Sequence, residues 1–262
     1  MERKMKKLWW APVVVVGVVA MLLSPLMIAQ AQSEAWAAVM AQGNQQYEAG
    51  DYPGAIEMYN SIVAGGVDNG QVDYNLGNAY FKDGQLGKAI ANYERAHRLL
   101  PRDKDVAANL QFARAQVVDR VELPEEPAIV RWIESVHNLA TLNETLWWTW
   151  TVYWLITIAA LLAIFVRPAR RVLAYALAVL GVVFILSVVS LGVKMHTSGA
   201  TQAVVVAPEA NVYSGPGDDY MLQFTVHEGV KFDVEGERQG WYRVRLPGDL
   251  EGWAPKDTLD VI

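Results

Sequence analysis

The sequence of 262 residues contains no cysteine. This absence excludes disulfide bonds, zinc sites built from thiolates and cysteine nucleophiles. Histidine is also scarce: His97, His137, His196 and His227 lie in separate segments, without a second histidine or a carboxylate at the spacing of metal ligands. The P-loop, the dinucleotide fingerprint, the G-x-S-x-G elbow and the H-E-x-x-H motif are missing as well. We therefore expect a protein that is not an enzyme and needs neither a metal nor another cofactor.

Charged residues are few and unevenly distributed. They make up 19% of the chain, against 53% hydrophobic residues, and the formal net charge is −6. Residues 33–128 hold 14 acidic and 8 basic side chains, residues 200–262 hold 11 and 5, and residues 146–199 hold four basic ones and no acid. An acidic surface disfavours nucleic acid, because neutralising phosphates requires basic side chains. The pattern predicts two acidic globular regions separated by an apolar, basic segment.

The N-terminus has the pattern of a secretory signal peptide. Four basic residues within the first seven precede an uncharged run over residues 8–33, in which Ala29-Gln30-Ala31 offers a cleavage site. We assign residues 1–31 to this peptide, because Ser24-Pro25 would break the helix before the small residues. An uncleaved signal anchor is the alternative, since the apolar stretch is long enough to span a membrane. Either interpretation places the following region outside the cytoplasm.

Two further uncharged runs, residues 145–166 and 172–193, have 22 residues each and are long enough to cross a bilayer as helices. The loop between them, residues 167–171, contains Arg167, Arg170 and Arg171 and no acid. By the positive-inside rule this loop is cytoplasmic. The sequence therefore predicts a multi-pass membrane protein, with the lipid bilayer as one partner and both globular regions extracytoplasmic.

Aromatic residues crowd the first half of the first predicted span. A belt at the membrane interface is the favoured interpretation and a ligand pocket the alternative. The residues are Trp147, Trp148, Trp150, Tyr153 and Trp154. The preceding linker, residues 124–144, repeats apolar residues at spacings of 3 and 4 in Ile129, Ile133, Val136 and Ala140. This spacing predicts an amphipathic helix on the outer membrane surface.

The first acidic region contains an internal repeat with one constant offset. Gly43, Gly50, Ala55, Ile56 and Tyr59 recur as Gly77, Gly84, Ala89, Ile90 and Tyr93. The offset equals the tetratricopeptide period of about 34 residues, in which each repeat is a pair of antiparallel helices. We predict an all-α repeat domain over residues 32–123, with repeats at about 36–69 and 70–103. A capping helix over residues 104–121 would cover the apolar face of the last repeat.

Repeat register places a concave groove along the first helix of each pair. Tetratricopeptide domains that grip a peptide C-terminus use paired asparagines and basic residues. Asn44 and Asn75 match the asparagine positions, whereas Met40, Asp105 and Asn109 stand in place of the basic residues. The hypothesis is a groove for an extended or helical segment of a partner protein, and the alternative is that these are solvated helix-face residues. The groove positions are Met40, Asn44, Tyr47, Glu48, Gln71, Asn75, Asn78, Phe81, Lys82, Asn109 and Phe112.

Residues 200–262 alternate between apolar and polar positions, with turn signals at 214–217, 237–240 and 247–249. About five short strands suit a small closed barrel. The order Asn211-Val-Tyr-Ser-Gly-Pro216, Gly240-Trp241 and Glu251-Gly-Trp253 resembles bacterial SH3-like domains. The resemblance implies binding of peptides or cell-wall material through an aromatic surface, although core packing is the alternative role. The candidate surface residues are Tyr213, Tyr220, Trp241, Tyr242 and Trp253.

The complete order of parts is that of a multidomain membrane protein: an all-α tetratricopeptide domain, a two-helix transmembrane hairpin and a small all-β SH3-like barrel. This order, with Asn109-Leu-Gln-Phe-Ala-Arg114 and Ala207-Pro-Glu-Ala-Asn-Val212, resembles the BatE-type proteins of bacterial aerotolerance operons. The resemblance implies a scaffold anchored in the bacterial inner membrane, beside von Willebrand A-domain membrane proteins and a MoxR-type ATPase complex. A wall-sensing protein that binds peptidoglycan through the SH3-like domain is the alternative.

Overall fold

A computed structural model describes residues 34–119, 127–198, 201–246 and 250–262. The predicted signal peptide, residues 1–31, lies outside the described residues, as does the start of the linker. The chain forms two compact units, which divide between Val67 and Asp68.

The first unit is a helix–turn–helix pair formed by α1 (34–48) and α2 (Tyr52–Ala64). The turn passes through Gly50, whose φ of 81° is a left-handed conformation that glycine adopts without strain. The Asp51 side chain caps α2 by accepting a hydrogen bond from Gly54 N at 3.1 Å. A Cβ at Gly43 would lie only 2.6 Å from the Tyr59 ring, so a glycine lets the two helices approach. These features match the predicted first repeat.

The second unit begins with α3 (Gly70–Lys82), α4 (Leu86–Leu99) and α5 (Lys104–Arg114). The turn between α3 and α4 uses Gly84 at a φ of 80°, and a Cβ at Gly77 would lie 2.7 Å from the Tyr93 ring. Both glycines follow their counterparts in the first unit, Gly50 and Gly43, by one repeat period. The predicted period and its small-residue contacts are therefore present in the structure.

The predicted capping helix is shorter than expected. It ends at Arg114 with Ala115 as its C-cap, whereas the sequence suggested one helix to residue 121. The following residues, up to Asp119, turn away and contact the C-terminal sheet: Val117 packs against its core, and Asp119 accepts a hydrogen bond from His227 N. These tertiary contacts replace the helical continuation, because packing commonly overrides local helix propensity.

Three helices follow: α6 (Ala128–Asn138), α7 (Leu142–Phe165) and α8 (Arg170–Ser198). A reciprocal capping box between Thr141 and Glu144 starts α7 three residues before the predicted span. One 3₁₀ turn, Arg167–Ala169, joins α7 to α8. Both α7 and α8 are long and apolar enough to cross a membrane. Thr149 and Ser187 form a hydrogen bond of 3.2 Å between them.

The C-terminal region is an antiparallel sheet with the strand order β3-β2-β6-β5-β4-β1-β7, which fits the SH3-like fold. The sheet is open, with β3 and β7 at its ends in the described residues, whereas a closed barrel was expected. Its core is rich in buried branched side chains and centres on Phe232. The strands are β1 (Thr201–Val205), β2 (Glu209–Tyr213), β3 (Leu222–His227), β4 (Lys231–Arg238), β5 (Trp241–Leu246), β6 (Leu250–Pro255) and β7 (Leu259–Val261).

Candidate protein-interaction sites

The predicted groove positions on α3 and α5 meet in a polar cluster. Asn109 Nδ2 donates hydrogen bonds to Asn78 Oδ1 at 2.9 Å and to the Tyr74 hydroxyl at 3.1 Å. The Tyr93 hydroxyl, from α4, donates to the same Asn78 oxygen at 2.7 Å. The cluster fixes the spacing of the helices, so these amides have a structural role in addition to any contact with a partner.

An aromatic pair lies further along the same two helices. The Phe81 and Phe112 rings have centroids 5.7 Å apart, and Phe112 is 63% exposed. Lys82 follows Phe81 and is exposed at the end of α3. Gln71, also on α3, donates to Asn75 Oδ1 at 3.1 Å in an exposed contact. The α3–α5 surface therefore presents amides, the exposed Phe112 ring and the Lys82 cation.

In the first unit, α1 carries Met40, Asn44, Tyr47 and Glu48. Asn44 Oδ1 accepts a 2.7 Å hydrogen bond from the Tyr59 hydroxyl. The Tyr47 and Tyr52 rings pack edge to face, with their centroids 5.4 Å apart. Asn44 thus matches Asn78, one repeat period later, in binding the tyrosine of its own helix pair. Asn44 and Asn75, the two asparagines assigned to peptide binding, are not repeat counterparts of each other, and their binding role stays a prediction.

One ionisable group behind the groove is strongly perturbed. Asp73 lies on α3 with only 6% of its surface exposed. Burial raises the pKa of its carboxyl to about 6, and the Arg95 guanidinium on α4 opposes this only in part. Desolvation is thus the larger effect, because removing a carboxylate from water disfavours its charged form.

The SH3-like domain groups three of its five candidate aromatic residues. Tyr213 and Trp241 meet edge to face with centroids 5.6 Å apart, and Tyr213 is paired with Trp253 across β2 and β6. Tyr242 points to the opposite face, where it packs against the core. Lys256 Nζ lies over its ring, 4.8 Å from the ring centroid. Tyr220 is separate and 48% exposed, in the turn between β2 and β3. The aromatic face consists of Tyr213, Trp241 and Trp253.

A small polar cavity of about 170 Å³ adjoins this aromatic face. Arg243, in its wall, pairs with Glu251 at 3.0 Å and Glu235 at 3.4 Å. Alternation along β5 and β6 places Arg243 and Glu251 on the same face as Trp241 and Trp253, although neither was among the candidate residues predicted from the sequence. The cavity is lined by Ser214, Gln223, Arg243, Glu251, Gly252 and Trp253.

The aromatic residues of α7 divide into two groups. Trp147 and Trp148 are 72% and 65% exposed. Trp150, Tyr153 and Trp154 contact one another, with centroids 5.6–6.1 Å apart. This second group borders an apolar cavity of about 460 Å³, whose lining is Leu146, Thr149, Trp150, Tyr153, Trp154, Phe184 and Leu191.

The amphipathic helix α6 is attached to α8 at its C-terminal end. Lys194 Nζ donates to the His137 carbonyl at 2.7 Å, and the Ser190 hydroxyl contacts His137 Nδ1 at 2.9 Å. Burial lowers the pKa of His137, and the Lys194 cation lowers it further. The apolar side of α6 is exposed, and its members are Ile129, Trp132, Ile133 and Val136.

The three arginines of the predicted cytoplasmic loop are all exposed. Arg170 donates to the carbonyls of Ala163 at 2.9 Å and Ile164 at 3.1 Å. Its guanidinium therefore caps the C-terminal end of α7, where carbonyl groups lack helical partners. Arg167 and Arg171 lie on either side of the same turn.

Comparison with known families identifies two domains. The tetratricopeptide repeat model matches residues 74–103, and the bacterial SH3 domain model matches residues 208–260. A search of curated proteins finds no match to the chain. Among the described residues, no group of three or more histidine and acidic side chains could hold a metal ion. The two domain types support an adaptor that binds proteins or cell-wall material.

Proposed function

We propose that this chain is a non-enzymatic, membrane-anchored adaptor that docks protein partners on the α3–α5 surface of its repeat domain. The observation that carries the proposal is the exposed Phe112 ring beside Phe81 and the Asn78–Asn109 amides. Exposed aromatic rings next to hydrogen-bonding groups are typical of the residues that dominate protein–protein binding.

The adaptor is anchored by α7 and α8, with both globular regions outside the cytoplasm. Two observations support this topology. Arg167, Arg170 and Arg171 favour a cytoplasmic loop. In addition, Asp119 contacts His227, and these residues lie on opposite sides of the hairpin in the sequence. A contact between them requires both regions to be on the same side of the membrane. The amphipathic helix α6 then lies at the outer surface, with its apolar side towards lipid.

The partners that family resemblance implies are von Willebrand A-domain membrane proteins and a MoxR-type ATPase complex. Crosslinking of the full chain in its native membrane, followed by purification and mass spectrometry, tests this. Phe112→Ala should reduce recovery of such a partner by about tenfold or more, because a central aromatic contact contributes roughly 2 kcal/mol to binding. Tyr220→Ala, an exposed aromatic of the other domain, is the matched control. Equal recovery with both variants would contradict the proposed groove.

A second candidate function is binding to peptidoglycan. It rests on the aromatic face beside the polar cavity, because stacked rings with nearby hydrogen-bonding groups suit a sugar–peptide polymer. The full chain in detergent should sediment with purified peptidoglycan, and Trp253→Ala should abolish sedimentation while Phe112→Ala leaves it unchanged. Sedimentation that both variants retain would exclude the aromatic face as the binding site.

The topology has a separate test. A reporter that is active only in the cytoplasm, fused after Ile262, should be silent, and alkaline phosphatase at the same position should be active. The reverse result would place the C-terminal domain in the cytoplasm and overturn the topology.

A further inference from the structure

We propose that the SH3-like domain serves as the terminal cap of the repeat stack and that the partner of its β1–β7 side is helix α4 of the same chain. This inference is independent of the adaptor function, because it concerns how the two extracytoplasmic domains are joined. It rests on a helix cap, two close glycine contacts and a set of ion pairs.

The first observation is that α4 receives its N-terminal cap from the SH3-like domain. Asp51 caps α2 with its own side chain, but its counterpart one repeat period later, Gln85, makes no side-chain cap. Instead, Glu228 Oε2 accepts a hydrogen bond from Gly87 N at 3.0 Å, across 141 residues of sequence. A carboxylate at this position satisfies an otherwise unpaired helix amide and favours the positive end of the helix dipole.

The second observation is the glycine at position 87 itself. A Cβ there would collide with the Val205 carbonyl oxygen and lie 2.9 Å from Val206 Cα, and both atoms belong to the SH3-like domain. The repeat fold does not need glycine here, because the corresponding residue of the first repeat is Pro53. Glycine is a poor helix residue. Its presence in the first turn of α4 is explained by the close approach of the strand β1 backbone.

An apolar contact lies beside the capped turn. Gly229, at a φ of 90°, comes so close to the repeat domain that a Cβ would lie 2.6 Å from Val117 Cγ2 and 2.8 Å from Ile90 Cδ1. Ile90 is buried on α4, and Val117 packs against the core of the sheet. Residues 115–119 are therefore an insertion from the repeat domain into the SH3-like domain, and this explains why α5 stops at Arg114.

Charged side chains complete the contact on the second half of α4. Arg95 pairs with the Asp260 carboxylate and also donates to the Val261 carbonyl at 2.6 Å. Its neighbour Glu94, whose side chain is 9% exposed, pairs with Arg114 and lies 3.7 Å from Lys231 Nζ. A carboxylate so deeply buried requires such partners, because an unpaired buried charge is strongly destabilising.

Another charged contact lies at the end of the insertion. The Asp119 carboxylate accepts a hydrogen bond from His227 N at 2.6 Å and contacts His227 Nδ1 at 3.1 Å. His227 directly precedes Glu228, the residue that caps α4. The turn after β3 thus contacts the repeat domain at two consecutive residues.

Repeat stacks need such a cover, because each repeat buries its apolar face only against a neighbour. A short α5 leaves much of α4 to be covered by something else. The SH3-like domain covers it with β1, β7 and the turn after β3, whereas its aromatic face is built on β2, β5 and β6. Capping and ligand binding therefore use different strands of one domain.

Disulfide trapping tests the contact directly, because the chain has no cysteine of its own. The distance from an ideal Cβ at Gly229 to Val117 Cβ is 3.7 Å, within the range of disulfides. Full-length Val117→Cys/Gly229→Cys, oxidised in membranes, should form an intramolecular crosslink detected by mobility and mass spectrometry. Val117→Cys/Met221→Cys, which pairs the same position with an exposed residue of another turn, is the control. Equal crosslinking of the two pairs would overturn the proposal.

A variant with a bulky side chain at position 87 tests the same contact without a cysteine at position 229. Gly87→Leu should separate the domains while preserving α4, because leucine is a better helix former than glycine. Proteolysis between residues 115 and 127 of the full chain should then accelerate by about tenfold or more, and Lys88→Ala should leave the rate unchanged. An unaltered rate in Gly87→Leu would refute close docking.

Hydrogen exchange tests the cap. Glu228→Ala should raise the exchange of the first-turn amides of α4 by about fivefold, the effect of losing one helix cap, without changing exchange in α2. Unchanged exchange in α4 would show that Glu228 does not cap it.

Discussion

The buried carboxyl of Asp73 makes the stability of the repeat domain depend on pH in a calculable way. Its pKa is about 6 in the folded chain, against 3.8 for a solvated aspartate. The folded state therefore binds more protons than the unfolded state between these two values, and stability must fall as pH rises through this window. Below the window both states are protonated, and above it the full cost of burying the charge is present.

The upward shift of about two pKa units means that the ionised Asp73 carboxylate destabilises the folded state by about 3 kcal/mol at neutral pH, at 1.36 kcal/mol per unit. Asp73→Asn keeps the shape of the side chain and removes this cost. For about 150 residues outside the membrane helices, we expect the variant to melt about 6–12 °C higher at pH 7.5. At pH 4.5, where the folded carboxyl is already protonated, the advantage should shrink to about 1 kcal/mol.

Thermal denaturation of the detergent-solubilised full chain, followed by near-ultraviolet circular dichroism, measures both values. The difference between variant and parent isolates Asp73 from the other titrating groups. An Asp73→Asn variant less stable than the parent at pH 7.5 would refute the reasoning, because Arg95 would then outweigh desolvation. A stability gain that does not change with pH would refute it too.

Three further outcomes follow from the packing and the charges. Gly77→Ala should lower stability by about 1–3 kcal/mol, because its methyl group overlaps the Tyr93 ring. Gly181→Ala, a helix position with open space around it, should not lower stability, and chemical denaturation compares the two variants. Tyr93→Phe should cost about 1 kcal/mol through loss of the hydrogen bond to Asn78, measured in the same way. Crosslinking of the cysteine pair at positions 117 and 229 should stay nearly constant as salt rises from about 0.05 M to about 0.15 M.

The repeat could be predicted because its determinants are local. Gly43 and Gly77 recur with Tyr59 and Tyr93 at one fixed offset, and each glycine–tyrosine pair lies within a single helix hairpin. A periodic search therefore finds them without knowledge of the rest of the fold. The end of α5 was not predictable in this way, because contacts with strands and turns far along the chain decide it.

The docking of the two domains was missed for the same reason. Glu228 caps a helix 141 residues earlier, and no periodicity encodes that contact. One local signal existed: Gly87 stands where the other repeat has Pro53 and where a helix has no use for glycine. A glycine that the repeat does not explain could have indicated a close neighbour, although not its identity.

The candidate site on the SH3-like domain was predictable in part. Trp241 and Trp253 lie on the same side of the sheet, since β5 pairs with β6, and their role in binding stays a prediction. Tyr242 was grouped with them, but adjacent residues of a strand point to opposite faces. The alternation rule would have separated Tyr242 and selected Arg243 instead. Which strands pair across the sheet depends on long-range topology and could not be read from the sequence.

The salt prediction follows from the charges of the segments that meet. Residues 68–119, which contain α3, α4 and α5, hold seven basic and seven acidic side chains, whereas residues 200–262 carry a net charge of −6. A neutral segment does not repel an acidic domain through its net charge, so the screening of long-range repulsion contributes little to docking.

The contact itself concentrates the opposite signs: Arg95 meets Asp260, and Lys231 approaches the buried Glu94. Partly buried pairs at such short range are screened only weakly. Docking, which also depends on the Glu228 cap and the apolar insertion, should therefore change little between about 0.05 M and about 0.15 M salt. Crosslinking that falls steadily from the lowest salt upward would mean that exposed ion pairs, rather than the cap and the apolar insertion, hold the domains together.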